Sequence, residues 1–195
     1  MKHSLRFFPV LAAAIALMTA SSPLAFADPD SCDSPEMMSE AIPHTRFLGP
    51  IDWKVGDRLS YQITFGFLGK IGTIEKEITK EEGAGVWLRQ VTLLTDKSDI
   101  QEMLVERSSG KVIKYIKNGQ EAVYTEEVLL DPAQTHESVT VPAGTFEAVH
   151  LTGKTQNGGK IDLWSNPEKT AIDGMIKSTV DGTTNVELMT FHRAP

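Results

Sequence analysis

Alternation of apolar and polar residues is the feature that most constrains how this chain can fold. Over residues 58–67 every second position carries a large apolar side chain, namely Leu59, Tyr61, Ile63, Phe65 and Phe67. Successive side chains of a strand point to opposite faces, so a period of two predicts a half-buried strand with an aromatic-rich inner face. The segment therefore indicates a sheet that packs one face against a core.

Further strand-like segments follow at short intervals, at residues 70–80, 86–95, 100–107, 112–117, 121–130, 145–155, 161–164, 175–180 and 184–191. Between several of them lie turn sequences that tolerate positive φ: Ser108-Ser109-Gly110, Asn118-Gly119, Asn157-Gly158-Gly159 and Asp181-Gly182. Sequential strands should therefore pair antiparallel. A sheet of about ten such strands does not stay flat, so we expect it to curl into a barrel, a half-barrel or a sandwich.

Helix signals are scarce in this part of the chain. Asp131-Pro132 and Asn166-Pro167-Glu168 could each begin a single helical turn, but neither leads into an apolar stripe of helical period. The predicted fold class is thus mainly β, with a single antiparallel sheet curled into a half-barrel or barrel and very little helix.

Residues 1–27 have the three parts of a secretory signal peptide. Lys2 and Arg6 supply a basic start, residues 10–18 form an apolar core too short to span a bilayer, and Ala25-Phe26-Ala27 is a small-x-small cleavage site. We expect cleavage directly after this site. No later run has the length of a transmembrane helix, so the mature chain should be periplasmic or secreted and carry no transmembrane segment.

The mature chain is predicted to divide into an arm and a sheet domain. Residues 28–50 hold four prolines and five acidic residues, which is typical of a loosely packed arm. Residues 51–195 carry the strand pattern and suffice for one β domain. Cys32 is the sole cysteine, and four residues separate it from the expected cut, so it is a poor lipidation site. A free thiol, a bond to another chain and an incidental residue all stay open for it.

Charge excludes some partners. Without its leader the chain has 17 basic and 26 acidic side chains, a net charge of −9. An acidic surface repels phosphate backbones and anionic lipid headgroups, so we expect no nucleic acid and no electrostatic docking to membranes.

No catalytic motif is present in the sequence. It lacks a nucleophile elbow, a glycine-rich phosphate loop and a zinc-protease helix, and no two of its mature-chain histidines lie within ten residues of each other. We therefore predict no enzymatic activity, no metal and no cofactor. Glu75 and Glu77 alternate with Lys76 and Lys80, which we interpret as a solvated sheet surface rather than as catalytic carboxylates.

Aromatic side chains suggest a ligand site. Those on or near the first strands could line an apolar pocket on the concave face of a curled sheet, and we take Tyr61, Phe65, Phe67 and Trp87 as the candidate ligand-binding residues. The competing interpretation is an ordinary sheet core, in which aromatic residues supply most of the buried area.

A family resemblance rests on blocks in the second half of the chain: Val141-Pro142-Ala143-Gly144-Thr145-Phe146, then Trp164-Ser165, then Gly174-Met175-Ile176-Lys177. These blocks resemble a group of exported bacterial proteins of largely unassigned function. Within them Pro142, Gly144 and Gly174 are predicted to be structural turn residues. In outline the group is similar to the periplasmic lipoprotein-carrier superfamily, whose curled sheet holds acyl chains, although this chain lacks the helices that plug the carriers.

Two functions follow as expectations. The first, which the resemblance also implies, is a non-enzymatic protein that holds a lipid or other apolar ligand on the concave face of its sheet. The alternative is an accessory or scaffold subunit of a cell-envelope assembly that acts by contact with a protein partner.

Export gives the first testable prediction. The purified mature protein should begin at Asp28 and carry no lipid on Cys32, because the cleavage site precedes both residues and lacks a lipidation cysteine directly after it. Intact mass spectrometry measures this directly. A mass that includes residues 1–27 or a diacylglyceryl group would contradict it.

Overall fold

The structure is a computed structural model that describes residues 6–7 and 50–195, apart from positions 96, 126, 156 and 157. Its strands are β1 (Arg6–Phe7), β2 (Arg58–Phe65), β3 (Gly69–Glu82), β4 (Gly85–Leu94), β5 (Ser98–Glu106), β6 (Val112–Lys117), β7 (Gln120–Glu121), β8 (Glu127–Val128), β9 (Leu130–Val141), β10 (Gly144–Lys154), β11 (Lys160–Ser165), β12 (Met175–Val180) and β13 (Thr184–His192). The predicted arm lies outside the described residues except for Pro50, as does the predicted leader except for β1.

Eleven of these strands form one antiparallel sheet in the order β7-β6-β5-β4-β3-β2-β13-β12-β11-β10-β9. The sheet is curled and does not close, so the predicted mainly β, half-barrel class is confirmed. It consists of two meanders, β2 to β7 and β9 to β13, which meet where β2 pairs with β13. Within the described residues no helix is long and apolar enough to cross a bilayer.

The connection from β7 to β9 explains why the sheet curls. These strands are the two edges of the sheet, yet only residues 122–129 join them. Eleven strands laid flat would span roughly 48 Å, whereas that connection reaches at most about 30 Å when fully extended. The edges must therefore approach each other. Tyr124 and Leu129 of the connection are buried in the core, so it packs against the inner face.

The core lies inside the curl and follows the predicted alternation. On β2 the side chains of Leu59, Tyr61 and Ile63 are buried, while the residues between them face outward. Three segments outside the large sheet add to the same cluster: the one before β2 through Trp53, the 122–129 connection through Tyr124 and Leu129, and the β11–β12 loop through Ala171 and Ile172. The hydrophobic core is thus continuous across both meanders.

Two tight turns have the backbone that their sequences predict. Asn118 and Gly119 have φ of 51° and 81°, and Asp181 and Gly182 have φ of 49° and 66°. Two consecutive residues at positive φ match the twist of antiparallel strands, which is why Asn-Gly and Asp-Gly join β6 to β7 and β12 to β13.

Two sequence predictions about the middle of the chain are wrong. Residues 121–130 are not one strand, because only β7, β8 and the start of β9 are strands there. Asp131-Pro132 begins no helical turn and instead belongs to β9. As an edge strand β9 is exposed along most of its length, so it needs no apolar alternation, and a proline near its start costs no ladder hydrogen bond.

The turn residues singled out in the sequence lie next to strands. Pro142 is in the two-residue turn between β9 and β10, which Gly144 closes with φ of 137° by pairing with Val141. Gly174, with φ of 70°, directly precedes β12, and a Cβ there would lie 2.4 Å from the backbone nitrogen of Pro167. Only glycine fits at residue 174.

Glycine 174 gives a stability prediction with a matched control. Gly182 has nearly the same φ, 66°, but nothing lies within 4 Å of its missing Cβ. Gly182→Ala should lower the free energy of unfolding by about 1 kcal/mol for the left-handed backbone alone, and Gly174→Ala by about 3 kcal/mol or more because overlap is added. Urea unfolding measures both. Equal losses would show that Pro167 moves away freely.

Candidate functional site

A buried ion pair lies at the centre of the curled sheet. The Nζ of Lys76 on β3 contacts Oδ2 of Asp173, and both side chains are 0% exposed. Lys76 shares the inner face with Ile74 and Ile78 and lies 5.3 Å from the ring centroid of Tyr61. The sequence interpretation of this stretch as a solvated surface is therefore wrong for Lys76, because its partner is distant in sequence and cannot be seen from β3.

Asp173 is held on its other oxygen as well. Its Oδ1 accepts a hydrogen bond from the backbone N–H of Met175 at 3.0 Å and lies 3.5 Å from the hydroxyl of Tyr61. That hydroxyl also donates to the carbonyl of Met175 at 3.0 Å. The preceding Ile172 has φ of 56°, which is strained for a β-branched residue. The loop from β11 to β12 is thus bent so that its carboxylate points inward.

Burial shifts the pKa values of Tyr61 and Lys76. It raises the pKa of Tyr61 well above its usual value, and the charge and hydrogen bond of Asp173 raise that pKa further. Burial lowers the pKa of Lys76, which Asp173 opposes. Tyr61 therefore stays protonated as a hydrogen-bond donor. Lys76, Asp173 and Tyr61 are shielded from solvent and therefore offer no exposed nucleophile. Their contacts join β2 and β3 to the β11–β12 loop.

Beside Lys76 lies a polar band, which we define as Gln90 and Thr92 of β4 and Gln101 of β5. Lys76 pairs with Gln90 across β3 and β4, and Gln90 pairs with Gln101 across β4 and β5. All three residues of the band are at most 2% exposed. Leu88 on β4 and Met103 on β5 lie on the same inner face, adjoin the band and are apolar. The inner face is therefore amphipathic.

The polar band has unmet hydrogen-bonding capacity. Within the described part of the chain, Nε2 and Oε1 of Gln90, Oγ1 of Thr92 and Oε1 of Gln101 have no hydrogen-bond partner, although Nε2 of Gln101 donates to Asp99 at 2.6 Å. The buried hydroxyl of Ser178, on β12 of the other meander, also has no partner among these described residues. Buried polar groups in folded proteins are almost always paired, so this concentration on one wall needs an explanation.

The four aromatic residues predicted to bind ligand are not brought together. Tyr61 is in the core, and Phe65, at the end of β2, is half-buried. Phe67 is 93% exposed in the 3-10 turn Gly66–Leu68. Trp87 is only 6% exposed, but it lies on the outer alternation of β4, because the next residue, Leu88, belongs to the core cluster.

Outward placement explains the contacts of Trp87. Its Nε1 donates to Glu82 at 2.9 Å, and the Nζ of Lys80 lies 5.0 Å from its ring centroid. Only two of the four aromatic residues, Tyr61 and Phe65, therefore occur on the inward alternation of β2. Sequence reasoning missed the polar band, although polar residues at inward positions, as in Leu88-x-Gln90-x-Thr92, were a usable signal.

A second titratable cluster lies on the outer side of the other meander. His150 stacks on Trp164 with ring centroids 4.2 Å apart, and its Nδ1 and Nε2 lie 3.0 and 3.2 Å from Glu137 and Asp162. Partial burial raises the pKa of Asp162, but hydrogen bonds from Lys160 and His150 bring that pKa below its usual value. Both ring nitrogens of His150 are engaged by different carboxylates, and the part of the chain that the structure describes holds no metal-binding group of three ligands.

Comparison with known proteins gives a fold likeness only. No protein-family model and no curated protein matches the chain. Among solved structures it is similar to a candidate exported protein with a YmcC-like fold from Bacteroides fragilis, at TM-score 0.46 and 10% identity over 75% of this chain and 100% of that one.

Two further solved structures are similar at the same level of identity. A candidate lipoprotein from Parabacteroides distasonis gives TM-score 0.46 and 10% identity over 74% of this chain and 99% of that one. For PNGF-II the TM-score is 0.40 and the identity 10%, over 71% of this chain but only 28% of PNGF-II. Scores this low support no functional argument, so the resemblance of the sequence blocks to exported proteins stays a prediction.

The ion pair gives a stability prediction. Asp173→Asn keeps an acceptor for Met175 and Tyr61 but leaves Lys76 uncompensated, so it should lower the free energy of unfolding by about 3 to 5 kcal/mol. Adding Lys76→Met should recover most of that loss, because no buried charge remains. Chemical denaturation of both variants checks this.

A neighbouring exposed pair provides the control. Glu77 bonds to Arg58 at 2.7 Å with side chains 35% and 65% exposed, so Glu77→Gln should cost at most about 1 kcal/mol. If Asp173→Asn costs no more than Glu77→Gln, the interior pair does not fix the loop.

Proposed function

We propose that this chain is an exported, non-enzymatic binding protein that acts in the periplasm, and that its ligand is amphipathic and lies against the inner face of the curled sheet. The observation that supports the proposal is the polar band, in which four buried side-chain atoms have no partner among the residues that the structure describes. A lipid or other apolar ligand with a hydrogen-bonding group would pair these atoms while its apolar part contacts the rest of the wall.

Energetics favour a polar group in the ligand. Each buried, unpaired donor or acceptor costs about 1 to 3 kcal/mol, so the band is a concentrated cost if it serves no purpose. Gln90 offers both a donor and an acceptor, and Gln101 an acceptor, which together suit an amide, a hydroxyl or a headgroup ester. A wholly apolar ligand would leave these atoms unpaired.

The apolar part of the ligand has side chains to contact on the same face. Leu88 and Met103 adjoin the band on β4 and β5. Ligand sites typically combine such an apolar lining with a few placed polar groups. Of the aromatic candidates we retain Tyr61 and Phe65 for this contact, because Phe67 and Trp87 lie elsewhere.

The alternative function, a scaffold subunit that contacts an envelope protein, has an observation of its own. Phe67 and Leu68 are adjacent in an exposed turn, at 93% and 60% exposure. Large neighbouring apolar side chains in water often mark a contact with another molecule. Substitution of both by serine should release a co-purifying partner if this function is correct, and should leave interior ligand unchanged.

The ligand proposal is tested with Gln90→Leu. In ligand-free protein the free energy of unfolding should be unchanged or higher, because two unpaired atoms are replaced by apolar ones. Ligand retained from the periplasm, measured by native mass spectrometry and organic extraction, should fall by about tenfold.

Gln62→Leu is the matched control for that test. Gln62 lies on the outer alternation of β2 and is half-buried, so its replacement should leave retention unchanged. If neither the native protein nor the control retains an extractable molecule, while Gln90→Leu is destabilised, the band is internal structure and the proposal is wrong.

A further inference from the structure

A groove of about 430 Å³ lies on the face of the sheet opposite the core. It crosses β13, β2, β3 and β4 where two rows of outward side chains run side by side. In one row most side chains are short. Thr190 pairs with Ser60, Ser60 with Glu75, and Glu75 with Val91. Thr190, Ser60 and Val91 are shorter than the side chains of the adjacent row, so this row forms the floor of the groove.

Long side chains of the adjacent row form one wall of the groove. His192 pairs with Arg58, Arg58 with Glu77, and Glu77 with Arg89 across the same four strands. Arg58 donates to Glu77 from Nε at 3.1 Å and from Nη2 at 2.7 Å. These two charges therefore neutralise each other within the wall.

Two opposite charges are left over in the groove. Among the residues that the structure describes, neither Arg89 on the wall nor Glu75 on the floor has a hydrogen-bond or ion-pair partner. Arg89 is half-buried and Glu75 is exposed. The groove thus offers one cation and one anion to a ligand.

We infer that this outer groove binds a small zwitterionic molecule, whose anionic group pairs with Arg89 and whose cationic group pairs with Glu75. A guanidinium holds a carboxylate or phosphate oxygen pair with two parallel hydrogen bonds. The net charge of −9 repels a ligand that is only anionic, and the unpaired Arg89 disfavours one that is only cationic. The volume is within the range of small-molecule sites. Because this groove and the polar band are on opposite faces, the inference is independent of the proposed interior site.

Three derivatives of one dipeptide separate the charge requirements. Glycylglycine carries both charges at pH 7, N-acetylglycylglycine only the negative one, and glycylglycine amide only the positive one. Calorimetry, with amide chemical shifts of Ser60, Val91 and Thr190 as the local reporter, should show saturable binding that is tightest for glycylglycine. No saturation with any probe, or equal binding of all three, overturns the inference.

Substitutions assign the two ends of the ligand. Arg89→Gln should lower the affinity for glycylglycine by about tenfold, because the charged hydrogen bonds to its carboxylate are lost. The variant should then bind glycylglycine no more tightly than glycylglycine amide. Glu75→Gln should lower the affinity for glycylglycine by a similar factor, so that glycylglycine binds no more tightly than N-acetylglycylglycine. Lys97→Gln, in the exposed turn between β4 and β5, should change nothing. Equal weakening by Lys97→Gln, or none by Arg89→Gln, refutes the assignment.

Discussion

The buried ion pair between Lys76 and Asp173 is the interaction on which the arrangement of the two meanders depends. Among the described residues, strand pairing joins the two meanders only where β2 meets β13, so the loop before β12 is held against β2 and β3 by side chains rather than by a sheet ladder. A buried pair adds little net stability compared with apolar residues, but it strongly penalises any state in which one charge loses the other. The pair therefore fixes the loop over β3 and, through Tyr61, over β2.

Curling places that pair, and the polar band beside it, away from water. A connection of eight residues between the outermost strands leaves the sheet no flat alternative, so inward side chains of β3, β4 and β5 face the opposite meander. Polar groups at such positions lose their water partners when the chain folds, which is costly unless something else supplies hydrogen bonds. The short connection that curls the sheet and makes the core continuous therefore also buries the polar band. The unmet hydrogen-bonding capacity of that band is the basis of the proposed interior site.

Strands and turns could be predicted because their signals are local. The alternation of β2 and the Asn118-Gly119 and Asp181-Gly182 turns specify backbone geometry within a few residues. The edge strand β9 was missed because a strand exposed on both faces has no apolar period. Lys76 was misread because its burial depends on a carboxylate in a distant loop. The polar band could have been inferred from Gln90 and Gln101 at inward positions, but its lack of partners emerges only in three dimensions.

Strand β3 shows how one alternation supports two different sites. Lys76 points inward to Asp173, while Glu75 and Glu77 point outward, the first to the groove and the second to Arg58. A slip of one residue in the pairing of β3 would bury both glutamates without a cation and turn Lys76 to solvent. Burying two unpaired carboxylates costs far more than exposing an isoleucine. The register of β3 is therefore specified by charge as well as by Ile74 and Ile78, and the residues that specify it are the ones that shape the interior and the outer groove.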